Sequence, residues 1–483
     1  MNLGKMLEDA CDRYGGNICF IHEGRKLTFS ELSRAVNSLG NRLRTLGLQK
    51  GDNVAIMLPN VPEFVISYFA IQKIGATAVT LNIMSTPYEL SYFLRNSDSK
   101  TLITNSSSVE RFDEIREELP LCAHLIVTAG PDAPSSFREA AEAGPFELEM
   151  PEIDGGDPAV IMYTAGHTGI HGVVLTHNNL LTQCDFLQMW NCAENDRGAC
   201  IIPLFHSMGA ACNMLSVINT GAVSVMMDQF TIDGLFSTIE KNKITYIAAV
   251  PKLFLDMLSH DGAGDHDLSS LRVCITGGAA MPPEYIPKFQ ENFHVKLLEG
   301  YGLTEASPGC TFSRIDMAQK LGSVGVAIDG VELKVLDDEG IEAQTGETGE
   351  VVVGGANIMK GYYKNEEETA RVIKNDRLYT GDLGRMDEDG YLFLTGRKKR
   401  IIIASGFNIC PLEIEAVLNM HPDVKSSMVL GKPNLTRGEI VNALVVKNKG
   451  AAADKMEIMN HCRKYLSAYK VPRRMKFVDE IHK

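Results

Sequence analysis

KLTFSELSRAVNSLGNRLRTLGLQKGDNVAIML, running from Lys26 to Leu58, is the stretch whose reading decides the fold. It opens as a strand and continues as a helix with apolar residues at helical spacing. It then turns at glycine and ends in the buried strand Asn53 to Leu58, one complete β/α unit. The pattern recurs downstream: a helix through Tyr68, a strand from Thr77 to Leu81, a helix from Pro87, and short buried strands at Thr101 to Thr104 and Leu125 to Val127. Strands alternating with helices predict largely parallel sheets covered by helices. Between about residues 320 and 395 the texture changes to short alternating strands separated by acidic glycine turns, as in ELKVLDDEG and GYLFLTG. That section predicts antiparallel β structure, a distorted barrel. After Gly396-Arg397-Lys398-Lys399-Arg400 the chain begins again with IIIASG, a helix from Pro411, and further strand, helix and strand elements. The expected fold is therefore α/β: a large N-terminal domain over residues 1–399 and a small α+β C-terminal domain over residues 400–483.

At 483 residues the chain exceeds what one hydrophobic core serves, and its 45% hydrophobic content can fill at least two. The formal charge of -14 argues against a nucleic-acid surface, so a polyanionic ligand needs local attraction. The basic run Lys398-Lys399-Arg400, and Arg473-Arg474 with Lys470 and Lys476, can supply it or can be solvated faces. Eleven cysteines lie scattered without a C-x-x-C pair, which predicts reduced and mostly buried thiols. No apolar run approaches a membrane span, and MNLGKMLEDACDRYGG reads as an amphipathic helix rather than a signal peptide, which predicts a cytoplasmic protein.

Chemistry concentrates first in residues 159–177, AVIMYTAGHTGIHGVVLTH, where a buried strand enters a loop rich in Gly and Thr and a second strand follows. Such a loop can turn several backbone N–H groups and hydroxyls toward a phosphate, because glycine lets the backbone approach closely. Alone, it can equally be an ordinary glycine turn. The segment resembles the phosphate loop of the adenylate-forming superfamily, Y-T-S-G-T-T-G-x-P-K-G-V with a following T-H. Tyr163, Thr164, Gly166, Thr168, Gly169, Gly172, Val173, Thr176 and His177 match. Ala165 replaces the family's Ser, His167 its Thr, and His171 alone fills the place of its Pro-Lys pair.

EGYGLTE, residues 299–305, resembles the superfamily's Y-G-x-T-E element, and YTGDLGRMDEDGYLFLTGR, residues 379–397, its T-G-D and G-R elements. The resemblance implies that Tyr301 stacks on a purine, Thr304 meets the α-phosphate, and Glu305 holds Mg²⁺. It implies further that Asp382 takes the ribose hydroxyls, with Arg397 adding a donor to the sugar or phosphate. Without it, EGYGLTE is a glycine turn opening a helix, Asp382 a tight-turn residue and Arg397 part of a hinge. Four further segments match in order. PLFHSMG at 203–209 resembles the acid-side segment, TGGAAMP at 276–282 the adenine-pocket turn with Gly278 and Ala279, and GANIMKGYY at 355–363 another family block. ASGFNICPLEIE at 404–415 resembles the start of the mobile domain. His206 is then expected beside the reacting carboxylate, with a core histidine as the alternative reading.

The resemblance implies an ATP-dependent acyl-CoA ligase whose small domain turns about Arg400 between two half-reactions, with Gly406 lining the pantetheine path. The expected partners are a carboxylic acid, ATP, Mg²⁺ and CoA, with a homodimer left open. Amino-acid-activating relatives carry an Asp for the substrate ammonium, whereas Phe205 to Ala211 contains no carboxylate. A buried ammonium without a partner is too costly, so the acid is expected to be fatty or aromatic. The family's closing T-x-x-G-K lysine follows F-V-D-E-L-P, and this sequence stops at Phe477 to Lys483. The expectation is that residues are omitted both there and in the phosphate loop. Two alternatives stay open: a ligase that loads a carrier protein, and a nucleotide-binding paralogue with impaired catalysis.

Overall fold

A computed structural model describes residues 1–129, 136–166, 169–194, 196–227, 230–398 and 401–481. The deciding stretch folds as read. Arg25–Thr28 is a strand, and Phe29–Thr45 a helix opened by a reciprocal Thr28/Glu31 capping box. Phe29, Leu32, Val36, Leu39 and Leu43 bury one face of that helix, and every residue of the next strand, Asn53–Met57, is buried. The helix Pro62–Lys73 is covered nearly all round, consistent with its place between layers.

Among the described residues the large domain builds three sheets, two of them rich in parallel strands. One has seven strands, with Asn53–Met57, Thr77–Thr80, Ser99–Asn105 and His124–Thr128 parallel and the hairpin Pro158–Ala165/Ile170–Thr176 at one side. The other has nine, including the parallel run Arg197–Cys200, Tyr246–Ala249, Val273–Thr276 and Lys296–Gly302. One core joins them, with Val54, Phe69, Leu204, Met214 and Leu298 in the same cluster. The section with acidic turns forms a curled antiparallel sheet of Val331–Leu336, Gly349–Gly355, Arg377–Met386 and Leu392–Arg397. The small domain has its own core around Ile402, Ile414, Val429, Val441 and Ile458. Lys399 and Arg400, the expected boundary and hinge, lie outside the described residues.

The N-terminal helix is Leu3–Tyr14, with Asn2 as its cap, and no helix among the described residues is long and apolar enough to cross a membrane. All eleven cysteines are free thiols, and all but Cys11 are fully buried.

Candidate active site

Three chain segments distant in sequence meet at the ends of these strands. The phosphate-loop hairpin closes in register, with Tyr163 opposite Gly172 and Thr164 opposite His171. The Gly166 N–H donates to the Gly169 carbonyl at 2.6 Å. The His171 ring packs directly on Gly166, where any side chain would collide with it, so glycine is required there by contact. Thr168, an expected phosphate contact, lies outside the described residues. The segment Met359–Tyr363 stitches the hairpin to the second element: Met359 N–H donates to the Glu305 carbonyl at 2.9 Å, and Tyr363 N–H to that of Gly172 at 2.7 Å.

Glu305 follows the strand Lys296–Gly302 in a single turn of 3₁₀ helix, Thr304–Ala306, and is buried. Its Oε1 accepts from the Tyr362 hydroxyl at 2.8 Å. The Tyr362 ring stands 4.9 Å from that of His171. Among the described residues no hydrogen bond or ion pair engages Oε2. No cluster of three or more His, Cys, Asp or Glu forms a metal cage among the described residues. A lone carboxylate oxygen fits an ion such as Mg²⁺, which is commonly held by one or two carboxylates together with substrate phosphates.

Asp382 stands in the middle of the strand Arg377–Met386, not in a tight turn. Arg397 is its cross-strand partner, and the Arg397 Nε lies 2.8 Å from Asp382 Oδ1. The Tyr301 hydroxyl donates to Oδ2 at 2.7 Å. Burial and the neighbouring Asp382 charge push the Tyr301 hydroxyl well above its ordinary pKa, so it stays a donor. Each carboxylate oxygen keeps lone-pair capacity for a second donor, the requirement for gripping two vicinal hydroxyls.

The third group surrounds a cavity of about 90 Å³ between the domains, lined by Thr164, Ala165, His206, Ser207 and Thr304 on the large-domain side. His206 caps the short helix Ser207–Ala210, its Nδ1 accepting from the Met208 N–H at 3.2 Å. Burial lowers its pKa to about 4, so at neutral pH the ring is uncharged and its proton sits on Nε2. His206 is therefore placed as a hydrogen-bond donor rather than a base. Ser207 Oγ and Thr304 Oγ1 lie 3.5 Å apart beside it. The small domain closes the cavity with Phe407, Asn408, Glu413 and Lys470. Glu413 Oε2 is buried there without a hydrogen-bond partner among the described residues, an acceptor open to a polar ligand or water.

Gly278 and Ala279 follow the strand Val273–Thr276, and Gly278 has φ +76°. Gly406, at φ +86°, turns the small-domain hairpin Ile402–Ala404/Phe407–Ile409 against Val250, so closely that a side chain would strike the valine.

The model of the family described as AMP-binding enzyme matches residues 7–363, and that of its C-terminal domain matches residues 413–483. The chain belongs to the AMP-binding enzyme family. The adenylate-forming acyl-CoA synthetases of this family include a long-chain-fatty-acid–CoA ligase of Bacillus subtilis, 35% identical over 100% of this chain and 92% of the relative. A feruloyl-CoA synthase of an Amycolatopsis species is 33% identical over 95% and 91%. Among solved structures, the amide bond synthetase McbA of Marinactinospora thermotolerans overlays with a TM-score of 0.90 at 29% identity, covering 100% of this chain and 96% of that one. A double mutant of the Bacillus subtilis o-succinylbenzoate CoA synthetase, bound to a product analogue, overlays at 0.88, with 27% identity and 99% and 95% coverage. An anthranilate CoA ligase in complex with anthranoyl-AMP overlays at 0.78, with 28% identity and 100% and 94% coverage. This AMP-binding enzyme is an AMP-forming acid–thiol ligase.

One sequence expectation is corrected in this family member. Lys470 does not join Arg473, Arg474 and Lys476 in an exposed basic run: it is buried between Glu89 and Glu413, whose charges offset its own. Lys398, in the other run, pairs with Asp338 at 3.0 Å and Glu350 at 3.4 Å. Tyr362 was missed as a site residue although GANIMKGYY was singled out, because its bond to Glu305 spans 57 positions.

Proposed function

We propose that this ligase activates a fatty or aromatic acid without an α-amino group, using ATP and Mg²⁺ and passing the acyl group to CoA. The observation that supports the reading is that residues 301–305 link the groups: Tyr301 bonds Asp382, Glu305 bonds Tyr362, and Thr304 lies 3.5 Å from Ser207 beside a neutral His206. In the first step a carboxylate oxygen attacks the α-phosphorus in line, and the bond to the bridging oxygen breaks to release pyrophosphate. Asp382 would hold the ribose, Arg397 the sugar or α-phosphate, and the Thr304 hydroxyl an α-phosphate oxygen. Gly278 and Ala279 would frame the adenine beside Tyr301. The hairpin's Thr164, Gly166 and Gly169 would face the outer phosphates. Mg²⁺, when bound, neutralises developing phosphate charge, and Glu305 Oε2 is the oxygen offered to it. In the second step the CoA sulfur attacks the acyl carbon, the bond to the AMP oxygen breaks, and the thiol proton leaves. The Nε2–H of His206 can donate to the carboxylate and then to the acyl oxygen as charge develops there.

Small residues Gly209, Ala210 and Ala211 follow His206, and no carboxylate stands between Phe205 and Ala211, which supports an apolar acid rather than an amino acid. The proposed setting is cytoplasmic. The test is a panel of acids assayed for pyrophosphate release from ATP, first without and then with CoA. Fatty and aryl acids should give release that CoA drives to turnover, while α-amino acids give none. Turnover only with a phosphopantetheinylated carrier protein would replace CoA as acceptor. Nucleotide binding without pyrophosphate release from any acid would overturn the reading in favour of an impaired paralogue, which His171 in place of the family's Pro-Lys pair favours.

A further inference from the structure

The seam between the two domains is held by one buried cation shared between two carboxylates. Lys470 Nζ lies 2.6 Å from Glu89 Oε1 and 2.7 Å from Glu413 Oε1. The Lys470 and Glu89 side chains are only 6% and 3% exposed. Glu89 stands in the first turn of the large-domain helix Pro87–Asn96, whereas Lys470 and Glu413 both belong to the small domain. The same Glu89 carboxylate accepts the Ser467 N–H at 3.3 Å and the Ser467 hydroxyl. Next to it, the Thr86 hydroxyl donates to the Tyr465 carbonyl at 2.9 Å, and Tyr88 meets the Tyr465 ring edge-on at 5.4 Å.

A rotation of the small domain would carry Lys470 and Glu413 away together and leave Glu89 behind. The Lys470 ion pair and both Ser467 hydrogen bonds that such a motion breaks converge on the Glu89 carboxylate. A buried ion is costly unless fully paired, so these links form or fail together with the domain pose. The pose they hold is specific. Tyr469, adjacent to Lys470, stacks on Phe407 with ring centroids 4.4 Å apart, and Phe407 and Asn408 enter the cavity that holds Thr164, His206 and Thr304. Over near-complete coverage the chain overlays the complex with a CoA-product analogue at TM-score 0.88, and that with anthranoyl-AMP at 0.78, although the identities are 27% and 28%.

We infer that Lys470, clamped between Glu89 and Glu413, is a positioning residue that fixes the small domain with its 402–409 hairpin in the cleft, the pose that serves thioester formation. The inference rests on the acyl-CoA ligase reading above. Nothing in it requires Lys470 to touch substrate: it acts through Phe407 and the hairpin.

The two half-reactions are measured separately on the intact chain, as pyrophosphate exchange and as thioester formation from preformed acyl-adenylate and CoA. Amide hydrogen exchange is followed in parallel. Lys470→Met should slow thioester formation by about tenfold or more while changing pyrophosphate exchange by less than about twofold. It should also speed exchange of the 402–409 amides by about tenfold, with the small-domain strand Gly438–Lys447 still protected. Glu89→Gln removes the charge on the opposite side of the seam and should shift every readout in the same direction, which covers the case of a Lys470 variant that does not fold. Glu413→Gln spares the Lys470–Glu89 link and should have the smallest effect. A folded Lys470 or Glu89 variant whose hairpin exchange is unchanged, or whose half-reactions fall equally, overturns the inference. A parent protein that forms no thioester would refute the ligase reading, and the hairpin exchange rates would still decide the role of Lys470.

Discussion

Asp382 and Glu89 are both buried carboxylates set against a cation, yet their surroundings differ in kind. Asp382 receives one donor on each oxygen, and its partner Arg397 remains 33% exposed, with no described partner on its terminal nitrogens. Glu89 accepts from the Thr86 N–H, from both donors of Ser467, and from a lysine 6% exposed. The first cluster keeps donors and lone pairs in reserve, as the proposed ribose contact requires. Glu89 is saturated by the protein itself, whereas Glu413, on the other side of the lysine, keeps Oε2 without a hydrogen-bond partner among the described residues. Asp382 thus differs from Glu89 in the capacity it keeps for further donors.

The largest expected effect breaks the ligand side of that contrast. Glu305→Gln removes the charge whose Oε2 is free, and should cut Mg²⁺-dependent pyrophosphate release by about 100-fold or more with the fold intact by circular dichroism. Normal activity with normal Mg²⁺ dependence would remove Glu305 from the site. Asp382→Ala should weaken ATP binding by about 2–4 kcal/mol and erase discrimination against 2′-deoxy-ATP, measured by titration calorimetry. Equal binding of both nucleotides by parent and variant would make Asp382 a strand residue with no ribose contact.

Glu299 extends the contrast because it is buried without a cation among the described residues. Its Oε2 has no hydrogen-bond partner among the described residues, and burial raises its pKa from 4.5 to about 8. The folded protein therefore keeps a proton that the unfolded chain releases. That contribution is complete below pH 4.5 and is lost as pH rises to about 8. Glu299→Gln should flatten the fall in stability over this window and leave the variant more stable at pH 8 by about 2 kcal/mol in urea denaturation. Parallel pH profiles for the two proteins would contradict the assignment. The smallest effect is expected for Tyr362→Phe, which removes one hydrogen bond from Glu305. It should change the Mg²⁺ concentration at half-saturation by a factor equivalent to about 1 kcal/mol and leave ATP affinity without metal unchanged.

What the sequence made legible was local. The strand and helix order followed from periodicity in Lys26 to Leu58, and the nucleotide elements from short peptides in which glycine, hydroxyl and acid occur together. The tight turn offered as the alternative for Asp382 is a strand, because T-G-D gives no sign of the pairing with Arg397. Lys470 was misread for a related reason. Its sequence neighbours Arg473, Arg474 and Lys476 are exposed, whereas its partner Glu89 is 381 positions away. Tyr362 escaped notice because a tyrosine in a glycine-tyrosine turn carries no sign of the carboxylate it will meet. Long-range polar pairing depends on how domains dock, and no periodicity encodes that.

The central claim is that a carboxylate of the substrate becomes bonded to the α-phosphate and is later expelled with AMP. Turnover of an acid labelled with ¹⁸O in both carboxylate oxygens, with unlabelled ATP and CoA and mass analysis of the products, tests it directly. One ¹⁸O should appear in AMP and the other should remain in the thioester. Label in inorganic phosphate, or AMP without label, would contradict an acyl-adenylate route.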